Sequence, residues 1–304
     1  MTPGKKSHAL LSTARIANVP SVVSNLGVGV FLGSMADGGE FSWPWLLTLA
    51  AIMFYVAGNF SNDWADREWD CTHRPERALP QGMFSAKSYL AVAVLFFAGG
   101  LAISALYGWL AFLVSILLVF LIQLYTKVHK SAAWSVVAMG LCRACLPLLG
   151  FVAMGRGVSG TALFPALALL LYIIGLSLSA RWEARGDLPA EQKWRARGLL
   201  AGAGLVAAIL PILVIPALGW VGLVPFGLWL ALCVTKFQSP VPAHVSALLA
   251  GIPLVDWIIL LPMALSWLQL RRVEGSDPMF IAAIILPPLA FFAGRLLQRL
   301  APAT

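Results

Sequence analysis

NDWADREWDCTHRPERALPQG, residues 62–82, gathers Asp63, Asp66, Glu68, Asp70 and Glu76 with Arg67, Arg74 and Arg77. The chain around it is 60% hydrophobic and only 11% charged, so this concentration of charge needs a reason. Residues 41–62 on one side and 88–126 on the other carry no charge at all. A helix crosses a hydrocarbon layer of about 30 Å in roughly 20 apolar residues, so the first interval fits one crossing and the second fits two. The charged stretch therefore reads as a connection between membrane-spanning helices.

The same ruler extends along the chain. With 304 residues, 12 Trp and 16 Phe and a mean hydropathy of +0.85, the sequence cannot cover itself with polar surface. It is an integral membrane protein. Residues 16–36 and 157–180 each predict one span, and 131–155 predicts one that carries Arg143. Interval 88–126 breaks at Tyr107-Gly108, and 198–235 breaks near Pro216–Gly219 to give two more crossings. Residues 237–270, with Asp256 as the lone charge, and 278–294 complete a bundle of nine to ten helices. Alternation of the kind that builds membrane barrels is absent. The apolar run after MTPGKKSHAL reaches Met35, long enough to remain as a span, so no cleaved leader is expected.

With the amino terminus cytoplasmic, the inner face collects every one of the 21 Lys and Arg residues except Arg143, Arg156, Arg271 and Arg272. That asymmetry orients a ten-span chain with both ends inside. The net charge of +8 then reflects topology and gives no reason to expect nucleic acid. The expected location is the inner (plasma) membrane of a bacterium. Four cysteines scattered through apolar segments suggest no disulfide framework, and Cys142-x-x-Cys145 reads as packing.

Eight of the 13 acids fall in two patches, 63–76 and 183–191, both assigned to the cytoplasmic face. Four spans separate them, which suggests two related halves, roughly 1–130 and 131–304, within a single transmembrane domain. In the first patch Asn62, Asp66 and Asp70 stand at i, i+4 and i+8, with Asp63 one position off, so a continuing helix aligns them. An Asp at mid-bilayer costs roughly 2.5 to 3.5 kcal/mol on the insertion scale, so these acids belong in a polar cavity with a neutralising cation. Mg²⁺ suits them, because it takes carboxylate oxygens and completes its shell with water and phosphate. A solvated acidic loop salt-bridged by its own arginines is the plainer alternative. Arg143 and Asp256 are intramembrane charges, either functional or structurally paired. His73 is a candidate base or simply solvated, and His8, His129 and His244 show no metal-ligand spacing.

Taken together, residues 62–70 and the trailing RALPQG (77–82) resemble the first aspartate-rich motif of the UbiA superfamily of membrane prenyltransferases. RIANVPSVVSN (15–25), LYTKVHK (124–130) and GLCRACLPLLG (140–150) are similar to further family motifs. The resemblance implies a helical bundle around a central cavity, with two acidic motifs in cytoplasmic loops. It implies Mg²⁺-dependent transfer of a prenyl group from an isoprenoid diphosphate to an acceptor, through ionisation of the allylic C–O bond. It assigns Asn62, Asp63, Asp66, Asp70, Glu183 and Asp187 to metal, and Arg77, Lys127, Lys130, Arg143 and Arg181 to the diphosphate and the chemistry. The second motif departs from the family pattern, since Glu183 replaces Asp and Arg181 and Arg185 intrude. SLSARWE (177–183) looks more like the EboC-like branch, which implies an acceptor other than an aromatic acid, such as a polar cyclic alcohol. Membrane lipid is the expected surrounding partner. A transporter or binding protein for an anionic lipid or diphosphate metabolite is the competing class. It would put its ionisable groups near mid-membrane rather than at one mouth.

Overall fold

A computed structural model describes residues 3–37, 42–155, 157, 159–181, 190–270 and 278–301. Every regular element among them is helical: α1 (Pro3–Thr13), a 3₁₀ turn (Ile16–Asn18), α2 (Val19–Asp37), α3 (Trp45–His73), α4 (Ala86–Ala105) and α5 (Trp109–Val128). Then follow α6 (Ser135–Val152), α7 (Gly160–Ala180), α8 (Ala190–Val214), α9 (Leu223–Thr235), α10 (Val241–Leu270) and α11 (Pro278–Leu297).

Among the described residues, nine helices are long and apolar enough to cross a membrane. The expected break between α4 and α5 occurs at Gly108, whose φ of 100° a side chain would resist. The interval 198–235 departs from expectation. Its first helix starts at Ala190 and has 25 residues, whereas α9 has only 13. At 1.5 Å per residue α9 rises about 20 Å, short of the roughly 30 Å hydrocarbon layer. It still carries the chain back: Gly222 before it packs on the backbone of Ile258, and Cys233 near its end accepts a hydrogen bond from His244. The described ends of the chain meet on one face, where His8 Nε2 donates to the Leu300 carbonyl at 3.1 Å.

Helices α2 and α6 lie side by side at the centre. One apolar cluster joins them to α3 and α5, and a larger one joins them to α7, α8, α10 and α11. Their closeness depends on glycine. A Cβ on Gly29 would strike the Pro147 carbonyl, and one on Gly150 would strike the Leu26 carbonyl. One turn toward the acidic face, Asn25 therefore meets Arg143. Helix α3 supplies the other wall of the interior. Its 29 residues rise about 43 Å, so its last turns carry the acids of the first motif to and beyond the hydrocarbon boundary.

Gly29→Ala is expected to lower the unfolding temperature in detergent, at a cost of about 1 to 3 kcal/mol from overpacking. Gly227→Ala, where a Cβ meets nothing within 4 Å, is expected to leave it unchanged.

Candidate active site

A cavity of about 530 Å³ runs along α3 from Ala51 to Asp70 and is closed by α2, α5, α6, α7 and α10. Its depth is apolar, with Val22, Phe54, Leu118, Ile122, Leu146 and Ile252. Its mouth holds Asn62, Asp66, Asp70, Arg74, Arg77, His129, Lys130 and Arg181. Helical spacing explains the lining: Asn62, Asp66 and Asp70 succeed one another by a turn and face inward together.

Charge pairing subdivides the motif. Arg77, on the segment after α3, donates to Asp70 Oδ2 at 2.8 Å and to Asp63 Oδ1 at 3.2 Å. Asp63 is thus committed to Arg77 and does not line the cavity. Burial lowers the Arg77 pKa, but the carboxylates of Asp63, Asp70 and Asp66 more than offset it, so the guanidinium is held above its ordinary value and stays charged. Asp66 receives Lys130 Nζ on Oδ1 at 2.6 Å, and on Oδ2 it receives His129 Nε2 at 3.1 Å and Asn62 Nδ2 at 3.3 Å. Trp69 stacks beneath Lys130, whose ammonium lies 4.1 Å from the ring centroid.

Two oxygens are left over. Asn62 Oδ1 and Asp70 Oδ1 are buried without a hydrogen-bond partner, a state that costs about 1 to 3 kcal/mol per group unless something binds there. They are hard oxygen donors at the cavity mouth and fit Mg²⁺. Among the described residues no three His, Cys, Asp or Glu side chains form a finished cage. Mg²⁺ commonly uses one or two carboxylates and takes its remaining ligands from water and phosphate. Glu183 and Asp187 lie outside the described residues.

The other expected residues divide by position. Lys127 is exposed and does not line the cavity; its neighbours His129 and Lys130 do. Arg181 lines the mouth but also donates to the Ala132 carbonyl and to Ser135 Oγ, both at 2.7 Å, tying α7 to the start of α6. Arg143 lies deeper, over the Tyr55 ring, and donates to Ser21 Oγ and Asn25 Oδ1, each at 3.1 Å. Asn25 Nδ2 in turn donates to Asp256 Oδ2 at 2.8 Å, and Ser24 Oγ reaches the same oxygen at 2.6 Å. Asp256 is therefore linked to Arg143 through an amide bridge, with Asn25 of α2 joining α10 to α6. His73 is exposed and stacks on Trp69, while Cys142 and Cys145 are both free thiols.

Sequence reasoning missed His129 and the part played by Arg15. Arg15 lines the cavity in the left-handed region, φ 46°, where a non-glycine residue is uncommon. Two cavity-wall side chains hold that bend: Tyr55 Oη donates to the Arg15 carbonyl and Asn59 Nδ2 to that of Ala14, each at 3.2 Å. The signal lay in RIANVP and YTKVHK, where these residues sit inside the quoted motifs.

An apolar slot whose mouth offers cations and unpaired hard oxygens is built for an amphiphile with a phosphate head. Residues 26–261 match the UbiA prenyltransferase family, and the chain belongs to it. It is a membrane prenyltransferase. The digeranylgeranylglyceryl phosphate synthase of Thermococcus gammatolerans is 28% identical over 247 residues, spanning 75% of this chain and 87% of that protein. The same-named protein of Thermococcus kodakarensis is 29% identical over 239 residues, 71% of this chain and 84% of its own length. Among solved structures, a UbiA homologue from Archaeoglobus fulgidus bound to GPP and Mg²⁺ superposes with a TM-score of 0.51 at 15% identity, over 96% of this chain and 99% of that one. A UbiA homologue from Aeropyrum pernix K1 gives 0.53 at 20% identity, over 91% and 98%. At these identities the structural likeness establishes the shared fold.

Lys130→Ala is expected to slow prenyl transfer about 100-fold, the usual scale for removing a group that stabilises developing charge. Lys127→Ala is expected to keep the parental rate, both measured as diphosphate release.

Proposed function

We propose that the chain transfers a prenyl group from an isoprenoid diphosphate to an oxygen nucleophile, with Mg²⁺ at the cavity mouth. The observation that carries this reading is the mouth itself, where buried Asn62 and Asp70 oxygens without partners sit beside Lys130 and Arg77. Asn62, Asp66 and Asp70 would hold the metal, which supplies charge neutralisation for the diphosphate leaving group. Asp63 keeps Arg77 aimed at the mouth, and Lys130 exchanges its carboxylate partner for a phosphate oxygen. The allylic C–O bond breaks with its electron pair going to diphosphate. These preorganised cations stabilise the leaving charge as it grows. The apolar depth takes the tail and keeps water from the carbocation until the acceptor oxygen attacks it and passes its proton to the departed diphosphate.

Glu183 and Asp187 complete the proposal as a second acidic group for metal, and Arg181 as a further phosphate contact. The relatives' name offers one acceptor class, a prenylated glyceryl phosphate; the EboC-like SLSARWE stretch offers another, a polar cyclic alcohol. Arg143, with its polar partners on α2, is placed to receive either head. We also place the motif-bearing face in the cytoplasm, on the strength of its lysines and arginines. The bacterial plasma membrane is carried by the sequence reading alone.

In nanodiscs with Mg²⁺ and allylic diphosphates of graded length, the protein is expected to release diphosphate and form a prenylated product with one acceptor class. Chelation should abolish the reaction and added Mg²⁺ restore it. Asp66→Ala/Asp70→Ala should lower the rate by a factor of at least about 100. A parental rate in that double variant would remove the metal site from these residues. Accumulation of unaltered substrate inside sealed liposomes would make the chain a carrier.

A further inference from the structure

Arg143 and Asp256 carry opposite charges within the bundle and are joined through Asn25, whose Oδ1 accepts from Arg143 Nη1 while its Nδ2 donates to Asp256 Oδ2. A carboxylate in direct contact would take a guanidinium side-on, two oxygens against two parallel N–H groups. The amide bridge leaves that edge unused. Both hydrogen bonds of Arg143, to Ser21 Oγ and to Asn25 Oδ1, leave from Nη1, and among the described residues Nε and Nη2 have no partner. Arg143 lines the cavity, whereas Asp256 is 1% exposed and does not. An acid inside a span is costly, and this one spends its contacts on aiming another residue.

Each acceptor on Nη1 is fixed in its role by a second bond. Ser21 Oγ donates its own proton to the Asn18 carbonyl at 2.6 Å, so toward Arg143 it can only accept. Asn25 is turned by Asp256: the carboxylate takes the amide N–H at 2.8 Å, which points the amide oxygen at the guanidinium. Ser24 Oγ, donating to the same carboxylate oxygen at 2.6 Å, holds Asp256 in turn. Tyr55 lies against the flat face, its ring centroid 5.5 Å from the guanidinium carbon, and its hydroxyl is tied to the Arg15 carbonyl. On α3 Tyr55 lies two turns before Asn62, a rise of about 10 Å. The guanidinium therefore stands below the mouth, at the level where an acceptor would meet the allylic carbon of a donor held by its diphosphate.

We propose that Arg143 grips the acceptor head with its Nε and Nη2 edge, and that Asp256, acting through Asn25, is the positioning residue that keeps this edge turned into the cavity. Such an edge suits a head with two neighbouring oxygens. A phosphate and a pair of adjacent hydroxyls share that chemistry. The inference rests on the prenyl-transfer reading for calling the ligand an acceptor, and its test requires no turnover.

The full chain in nanodiscs is equilibrated with geranylgeranylglyceryl phosphate in one arm and with the phosphate-free glycerol ether in the other, and native mass spectrometry reads the acceptor retained. Geranyl thiolodiphosphate with Mg²⁺, a donor analogue whose C–S bond resists ionisation, is measured in parallel. Asp256→Leu is expected to weaken retention of at least one acceptor about tenfold, the scale of a charge-assisted contact, and to leave the donor analogue unchanged. Asp256→Asn, which keeps an oxygen facing Asn25, is expected to stay within about threefold of the parent. In an Arg143→Gln background, itself weakened about tenfold, Asp256→Leu is expected to add nothing, since the two act as a unit. Weakening in the phosphate arm identifies an anionic head, and weakening in the ether arm a hydroxyl pair. If Asp256→Leu also loses the donor analogue, Asn25→Leu cuts the same link from α2 and is measured in its place; loss of the donor analogue there too makes the polar chain purely structural and overturns the proposal. Parental retention of both acceptors in Asp256→Leu, equal losses in Asp256→Asn and Asp256→Leu, additive losses with Arg143→Gln, or failure of the parent to retain either acceptor would also overturn it. Retention without product in a turnover assay would count against the prenyl-transfer reading alone.

Discussion

Arg77 sits between Asp63 and Asp70, and the architecture of the mouth depends on that contact. Three inward aspartates within eight residues of one helix repel one another, and the low-dielectric surroundings make the repulsion severe. A guanidinium from the following segment settles two of them at once and folds that segment back onto α3. The third, Asp66, is settled from across the cavity by Lys130 and His129 of the α5 end. The mouth is therefore a set of ion pairs. In the proposed reaction a phosphate head would offer Lys130 and Arg77 new anionic partners, and a divalent ion would offer the carboxylates a new cation, so both charges would be rehoused in one event. Pairs that are stable alone yet replaceable together suit a site that must open for its ligand.

Deeper in the bundle the same constraint is met differently. Arg143 and Asp256 balance each other without touching, through Asn25. An amide can donate to one charge and accept from the other, so a single residue of α2 fixes α6 and α10 together. That linkage needs α2 and α6 at glycine distance, which Gly29 and Gly150 provide. The central helix pair and the buried polar chain are one feature of the fold, since neither has the right geometry without the other.

Most of the helices were legible because a span is long and its composition is extreme. Gly108 marked its own turn. Helix α9 was not legible: its apolar residues run on past its hydrogen-bonded length, and hydropathy cannot tell a full crossing from a short helix with an apolar turn at 215–222. Asn62, Asp66 and Asp70 could be aligned from spacing alone. The division of labour between Asp63 and the rest could not, because it depends on where Arg77 returns in space. His129 escaped for a related reason, since its partner Asp66 is 63 residues away and no local pattern encodes the meeting. Lys127 and Lys130 differ by less than one helical turn, and only the orientation of the α5 end separates an exposed lysine from one in the mouth.

Helix α9 has a consequence for the surrounding lipid. A helix rising about 20 Å leaves a gap of roughly 10 Å against a layer of about 30 Å, to be closed by thinning of the bilayer or by sinking of the adjoining turn. Trp220, exposed on that turn, is the kind of side chain that settles at a headgroup boundary. The flank formed by α8, α9 and α10 would then draw the two leaflets together locally, while α4 and α5 on the far side meet a bilayer of ordinary depth. The bilayer would then be thinned beside one flank of the bundle and left at its ordinary depth beside the other.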